Sequence, residues 1–182
     1  MDARTSVRLH RIRRTLAAVL IGTAVLSAGS VPVAQAAKPD RSPAVDEPIE
    51  FATGEVCAHA IRFENTVLRS SDTLFGPAPD GSQRLLGTGM AVSEVVDLVT
   101  LATYRMRGGF QFTYMFEPDG SIRVDGQGTG IIAWYYPGDN SELGPGLWDV
   151  DGRVTEWYAP DGTFIRASMS GGATDICGAL AG

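Results

Sequence analysis

Histidine is nearly absent from this chain of 182 residues, which holds only His10 and His59. Cysteine is as scarce, at Cys57 and Cys177. The usual zinc sites need several imidazoles or free thiolates, so they are excluded. No Gly-x-Ser-x-Gly motif, EF-hand spacing or P-loop occurs. The sequence predicts no catalytic residues, no metal site and no cofactor, although a Ser-His-Asp arrangement using His59 stays open because its partners could come from any strand.

Lysine occurs once, at Lys38, and positive charge is concentrated at the start of the chain. Five of the 15 basic residues but one of the 21 acidic residues precede Ala37, so the remainder carries 10 basic and 20 acidic residues and a net charge of −10. Nucleic acids and anionic membranes require local positive charge on their partners. The balance therefore predicts no nucleic-acid partner and no stable membrane insertion once the leader is removed.

Residues 1–36 are predicted to be an export signal. An arginine-rich start is followed by an apolar run, Leu16 to Ala28, that is too short to cross a bilayer. Ala34-Gln35-Ala36 then supplies the small-x-small pattern of a signal peptidase site, with cleavage after Ala36. We expect a secreted protein. The general secretory route is favoured, and Arg13-Arg14 leaves a twin-arginine route as the alternative.

The remainder is predicted to be one all-β domain. Residues 37–50 contain three prolines and no periodic apolar pattern, which indicates a flexible tether before a domain spanning 51–182. The chain has 22 glycines, and almost no segment has helical periodicity. We expect a single antiparallel β-barrel of about eight strands, with a sandwich as the alternative.

Turns and alternation locate several strands. Three Pro-Asp-Gly turns, starting at Pro79, Pro118 and Pro160, are each expected to end or join a hairpin. Directly before the second of these turns, aromatic residues alternate with smaller or polar ones. This alternation predicts a half-buried strand over 110–116. Glycines spaced by two let the following long strand bend. The later strands are expected over 121–136, 147–150, 153–158 and 163–170. The alternating aromatic residues are Phe110, Phe112, Tyr114 and Phe116. The glycines spaced by two are Gly126, Gly128 and Gly130.

A first strand is predicted to carry Cys57, His59, Ile61 and Phe63 on its buried face, so that His59 points inward. Outside the cytosol two free thiols are disfavoured, and we expect a bond from Cys57 to Cys177 that clamps the two ends of the domain. In the chain-entropy description such a loop contributes about 4 to 5 kcal/mol.

A resemblance supports this description. Val56-Cys57-Ala58-His59-Ala60-Ile61, the Asp-Gly turns, Gly128-Thr129-Gly130 and the terminal Asp175-Ile176-Cys177-Gly178-Ala179-Leu180 resemble a group of small secreted actinobacterial proteins. The resemblance implies export, a disulfide and a β-architecture, and it transfers no activity. Where the group commonly has phenylalanine, this chain has His59.

Aromatic residues with polar tips favour a binding function. The candidate ligand-binding residues are His59, Tyr104, Tyr114 and Trp134, although filling of the core and the barrel ends is the favoured explanation for the aromatic side chains. We expect a small apolar or amphipathic ligand in the barrel interior. The alternatives are a cofactor-free cyclase or isomerase, and a protein-interaction module that uses an exposed loop over 137–146.

Overall fold

Seven antiparallel strands and one short helix make up the fold in the computed structural model, which describes residues 47–182. The strands are β1 (Ile49–Phe51), β2 (Ile61–Leu74), β3 (Gln83–Asp97), β4 (Thr103–Phe116), β5 (Ile122–Tyr135), β6 (Gly146–Tyr158) and β7 (Phe164–Asp175), and the helix is α1 (Ile176–Ala181). The predicted signal peptide and most of the tether lie outside the described residues. The first strand begins at Ile49, two residues before the predicted start of the domain.

Each strand pairs with the next one along the chain, so the sheet has the order β1-β2-β3-β4-β5-β6-β7. The all-β prediction is confirmed. The prediction of a closed barrel of about eight strands is wrong, because the sheet curls into a half-barrel whose two edges do not pair. The edge strand β1 has only three residues, too few to pair along the length of β7 and close the barrel.

The outer edge of β7 is occupied by the connection between β5 and β6. The N–H of Ala167 donates to the carbonyl oxygen of Asn140 at 2.9 Å, and the N–H of Met169 donates to a carboxylate oxygen of Glu142 at 2.9 Å. Covering an edge in this way blocks further strand pairing. The 137–146 segment, expected to be an exposed interaction loop, is thus tied to the sheet.

The three Pro-Asp-Gly turns join β2 to β3, β4 to β5 and β6 to β7, as predicted. In each turn the aspartate side chain accepts the N–H two residues later, at 2.9 Å for Asp80, 2.8 Å for Asp119 and 2.9 Å for Asp161. Each turn glycine takes a positive φ, between 83° and 88°. The turns lie side by side, since a Cβ on Gly120 would stand 3.3 Å from Pro160.

Two sequence assignments differ from the structure. The predicted strands 147–150 and 153–158 are one strand, β6, because Gly152 continues the ladder opposite Gly171. Residues 52–60 form a turn, and not the start of a strand, because the N–H of Gly54 closes a 2.8 Å bond to the carbonyl of Cys57. The apparent alternation of Cys57 and His59 with Ile61 therefore has no structural meaning.

A row of glycines crosses the sheet where it bends. Register places Gly89 opposite Phe110, Phe110 opposite Gly128, Gly128 opposite Gly152, and Gly152 opposite Gly171. The paired part of β4 and β5 ends at this row, and the β5–β6 register shifts between Gly128 and Ile131. We call Gly89, Gly128, Gly152 and Gly171 the glycine row.

Beyond the glycine row, both faces of β5 and β6 pack against hydrophobic cores. Trp134 and its partner Leu147 belong to a first core with the early parts of β2, β3 and β4, whereas Ala133 and its partner Trp148 belong to a second core. The first core contains Phe51, Val56, Cys57, Ile61, Phe63, Val95, Met106, Tyr136, Leu147, Ile176 and Leu180. The second contains Ile131, Ala133, Tyr135, Val150, Val154 and Ala167.

The predicted disulfide is confirmed. The Cα atoms of Cys57 and Cys177 are 5.4 Å apart, and 120 residues separate them along the chain. Because Ile176 and Leu180 of α1 are buried in the first core, the bond holds the helix against the turn that precedes β2. The disulfide joins the two ends of the half-barrel that backbone pairing leaves unjoined.

Candidate functional site

The inner face of the sheet is the more buried one, and it carries a row of aromatic rings on β4. Phe110, Phe112 and Tyr114 point to the same face as the buried Leu85 and Val124. The ring centroids of Phe110 and Phe112 are 5.4 Å apart, and those of Phe112 and Tyr114 are 6.3 Å apart. All three side chains are half-buried, so each keeps part of its surface accessible. We call these three residues the aromatic row.

Glycines lie directly beneath two of these rings. A Cβ added to Gly89 would stand 3.1 Å from the tip of the Phe110 ring, and one added to Gly126 would stand 2.6 Å from the Phe112 ring. A Cβ at Gly126 would come closer to the Phe112 ring than real Cβ atoms do, and a Cβ at Gly89 would crowd the Phe110 ring and stand 2.4 Å from the carbonyl oxygen of Arg69, so glycine at both positions makes room for the rings. The sheet thus presents broad ring surfaces on its inner face.

Two carboxyl groups share the inner face with the aromatic row. Asp72 extends over Gly87, where an added Cβ would lie 3.0 Å from its carboxylate oxygen, and Gly87 is the register partner of Phe112. Burial raises the pKa of Asp72. Glu156 accepts a hydrogen bond from the hydroxyl of Tyr158 on the far side of β5. A ligand lying on the rings would meet carboxyl groups on both sides.

The four predicted ligand-binding residues do not form one site. Tyr104 and Trp134 pack against the first core, and Trp134 also makes an edge contact with Phe51 at a centroid distance of 5.9 Å. Tyr114 lies across the glycine row, in the aromatic row. His59 lies in the turn before β2 and is exposed, so its predicted inward orientation is wrong.

His59 is instead held at the surface by Asp97. Its Nδ1 lies 2.8 Å from a carboxylate oxygen of Asp97, and the side chains are 45% and 5% exposed respectively. The N–H of Thr100 and the ring of His59, together with the N–H of Val99, lower the pKa of Asp97 to about 2. The pair fixes the turn before β2 to the turn after β3.

The turn between β3 and β4 exposes apolar side chains. Leu98, Val99 and Leu101 are 39%, 65% and 72% exposed, and Leu101 is the single residue other than glycine with a positive φ, 63°, in the part of the chain that the structure describes. Its N–H donates to the Asp97 carbonyl at 2.9 Å. The turn therefore holds a leucine in a strained conformation with its side chain in solvent.

Tyr104 bridges the two halves of the bent sheet. Its hydroxyl donates to a carboxylate oxygen of Asp149 at 3.0 Å. Burial, and then the charge of Asp151, raises the pKa of Asp149, while burial and the bond to Asp149 raise the pKa of Tyr104. This pair links β4 to β6 in the part of the sheet where β4 and β5 are no longer paired.

The aromatic row contains one predicted site residue, Tyr114. Its other two residues, Phe110 and Phe112, and the neighbouring Asp72 were not predicted to belong to a site. The alternation of the aromatic residues was visible in the sequence. That these rings form an accessible surface could not be predicted, because the bend that leaves this part of the sheet open depends on the register of the strands.

Within residues 47–182 no three or more His, Cys, Asp or Glu side chains are grouped to hold a metal ion. No helix in the same range is long and apolar enough to cross a membrane. None of the protein-family models, curated proteins or solved structures compared with the chain matches it.

Proposed function

We propose that the protein binds a small apolar or amphipathic molecule on the inner face of its half-barrel. The observation that carries the proposal is the aromatic row, in which half-buried rings lie over glycines beside the buried Leu85 and Val124. Aromatic side chains offer large apolar surfaces, and stacked or edge contacts between rings add to what burial alone contributes. Because Gly89 and Gly126 have no side chains, the rings of Phe110 and Phe112 cover this part of the inner face.

The open edge of the half-barrel supports the same function. A closed barrel of this size fills its interior with side chains. Here the strands near the Pro-Asp-Gly turns leave Phe110, Phe112 and Tyr114 partly accessible, while Leu85 and Val124 beside them are buried. Buried walls beside accessible rings are typical of an apolar binding surface.

The test is a titration of 15N-labelled protein with 1-naphthalenemethanol, a neutral bicyclic probe of about 12 heavy atoms. At roughly 0.3 to 0.5 kcal/mol per heavy atom the dissociation constant falls between about 0.04 and 2 mM, which NMR chemical shifts follow well. We expect the largest shifts at backbone amides of β4 and β5 on either side of the aromatic row.

Two phenylalanines provide a matched pair of variants. Phe112→Leu removes a ring of the aromatic row and should weaken binding at least about fivefold. Phe75→Leu makes the same change outside it, at a ring stacked against Arg84 3.9 Å away, and should leave binding within twofold. Equal affinities of the two variants, or shifts confined to strands other than β4 and β5, would contradict the proposal.

A further inference from the structure

Charge is segregated between the two faces of the sheet. In residues 47–182 every arginine lies in a strand, and register places all of them on the outer face. For example, Arg84 pairs with Met115, and Arg166 pairs with Trp157, whose ring it covers. The outward arginines are Arg62, Arg69, Arg84, Arg105, Arg107, Arg123, Arg153 and Arg166.

The charged side chains on the inner face are all carboxylates. Asp72 and Glu156 lie in the half that contains the aromatic row, and Asp97 and Asp175 lie at the other end of the same face. Three outer carboxylates pair with arginines: Glu64 with Arg62, Glu94 with Arg105, and Asp125 with Arg123. In the described part of the chain, Asp72 and Glu156 have no basic partner.

We infer that the ligand of the inner face is an amphipathic cation, an amine or quaternary ammonium whose apolar body covers the aromatic row and whose charge lies against Asp72 or Glu156. This inference rests on the proposed function. Three features of the face agree on the charge of the ligand. The charged side chains on it are all carboxylates, its rings present the electron-rich faces that attract cations, and Asp72 has no basic partner among the described residues.

Neutral and anionic ligands fit the same surface less well. An anion would meet two carboxylates and no arginine, because every arginine is on the opposite side of the sheet. A neutral ligand would cover the rings but leave Asp72 without a counter-charge. A cation satisfies both the apolar surface and the carboxyl group.

The test compares three probes that share the naphthalene body: 1-naphthylmethylammonium, 1-naphthalenemethanol and 1-naphthoate. Binding is followed by the backbone shifts of β4 in 15N-labelled protein, which separates the inner face from nonspecific attraction to an acidic surface. We expect the amine to bind about tenfold more tightly than the alcohol, and the carboxylate to bind most weakly. Raising NaCl from 10 to 500 mM should reduce this amine preference severalfold, because salt screens the charge pair.

The matched variants are Asp72→Asn and Glu156→Gln on the inner face and Glu64→Gln on the outer face. At least one inner variant should reduce the tenfold amine preference to about twofold while alcohol affinity stays within twofold. Glu64→Gln should leave the preference unchanged.

Each failure has its own signature. If the alcohol binds at β4 as tightly as the amine, or the preference survives both inner variants and high salt, the inference of a cationic ligand is wrong while the proposed function stands. If no probe shifts the β4 amides, the proposed function itself is wrong, and the inference is lost with it.

Discussion

Gly128 is a position at which one added methyl group should strongly destabilise the bend of the sheet. A Cβ at this position would stand 2.0 Å from the carbonyl oxygen of Gly109 and 2.9 Å from the Cα of Phe110. Both are backbone atoms of β4, so no side chain can move aside. The φ of Gly128 is 143°, a value that residues with a Cβ rarely adopt.

The cost of Gly128→Ala has two parts. The backbone conformation costs about 1 to 3 kcal/mol for alanine. Relieving the contact requires β4 and β5 to separate by more than about an ångström, which weakens neighbouring ladder hydrogen bonds at about 1 kcal/mol each. We expect the free energy of unfolding to fall by about 3 to 5 kcal/mol, which a domain stable by about 5 to 15 kcal/mol can survive.

Gly172→Ala is the matched control. Gly172 lies beside the glycine row in β7, its φ is not positive, and an added Cβ would meet nothing within 4 Å. Its replacement should change stability by less than about 1 kcal/mol, and reduced freedom of the unfolded chain favours a gain. Urea unfolding followed by circular dichroism gives both free energies. If the two variants differ by less than about 1 kcal/mol, the reasoning about the bend is refuted.

Three further predictions concern the end of the sheet away from the Pro-Asp-Gly turns. Reducing the Cys57–Cys177 bond should lower the melting temperature by at least several degrees, given about 4 to 5 kcal/mol at stake; a calorimetric shift below 2 degrees would contradict this. Leu101→Gly should raise the free energy of unfolding by about 1 kcal/mol, because the left-handed conformation penalises a Cβ; a loss in urea unfolding would show that the exposed leucine packs favourably. Asp97 has a pKa of about 2 in the folded protein, below its unfolded value, so its stabilisation is present above about pH 4 and is lost as pH falls towards 2. Melting temperature should therefore drop more steeply over this range in the native protein than in Asp97→Asn, and parallel curves would exclude the effect.

Local chemistry made the turns and the disulfide predictable. A Pro-Asp-Gly sequence carries its own hydrogen bond and its own positive φ, and all three copies form the turn expected. Two cysteines near the ends of an oxidised domain leave one intramolecular pairing. The aromatic alternation over 110–116 was also sufficient to assign a face, because no bulge interrupts it.

Closure of the barrel and the position of His59 depended on long-range pairing. Nothing in the sequence shows that the first strand stops after three residues, or that the segment after β5 binds the edge of β7. His59 was assigned by extending the alternation of Ile61 and Phe63 backwards. The turn at Gly54 ends that alternation, and the buried carboxylate of Asp97, 38 residues away, decides where the imidazole lies.

The charge pattern of the inner face depends on a single extra residue in β2. Arg62 and Arg69 are seven positions apart, so strict alternation would place them on opposite faces. The register shifts between Asn65 and Val67, which leaves Thr66 as a bulge whose hydroxyl donates to the carbonyl of Val92 at 3.1 Å. The shift turns Arg69 outward and Asp72 inward together. A strand without the bulge would place Arg69 beside the aromatic row and Asp72 on the outer face, so the charged side chains of the inner face would no longer all be carboxylates.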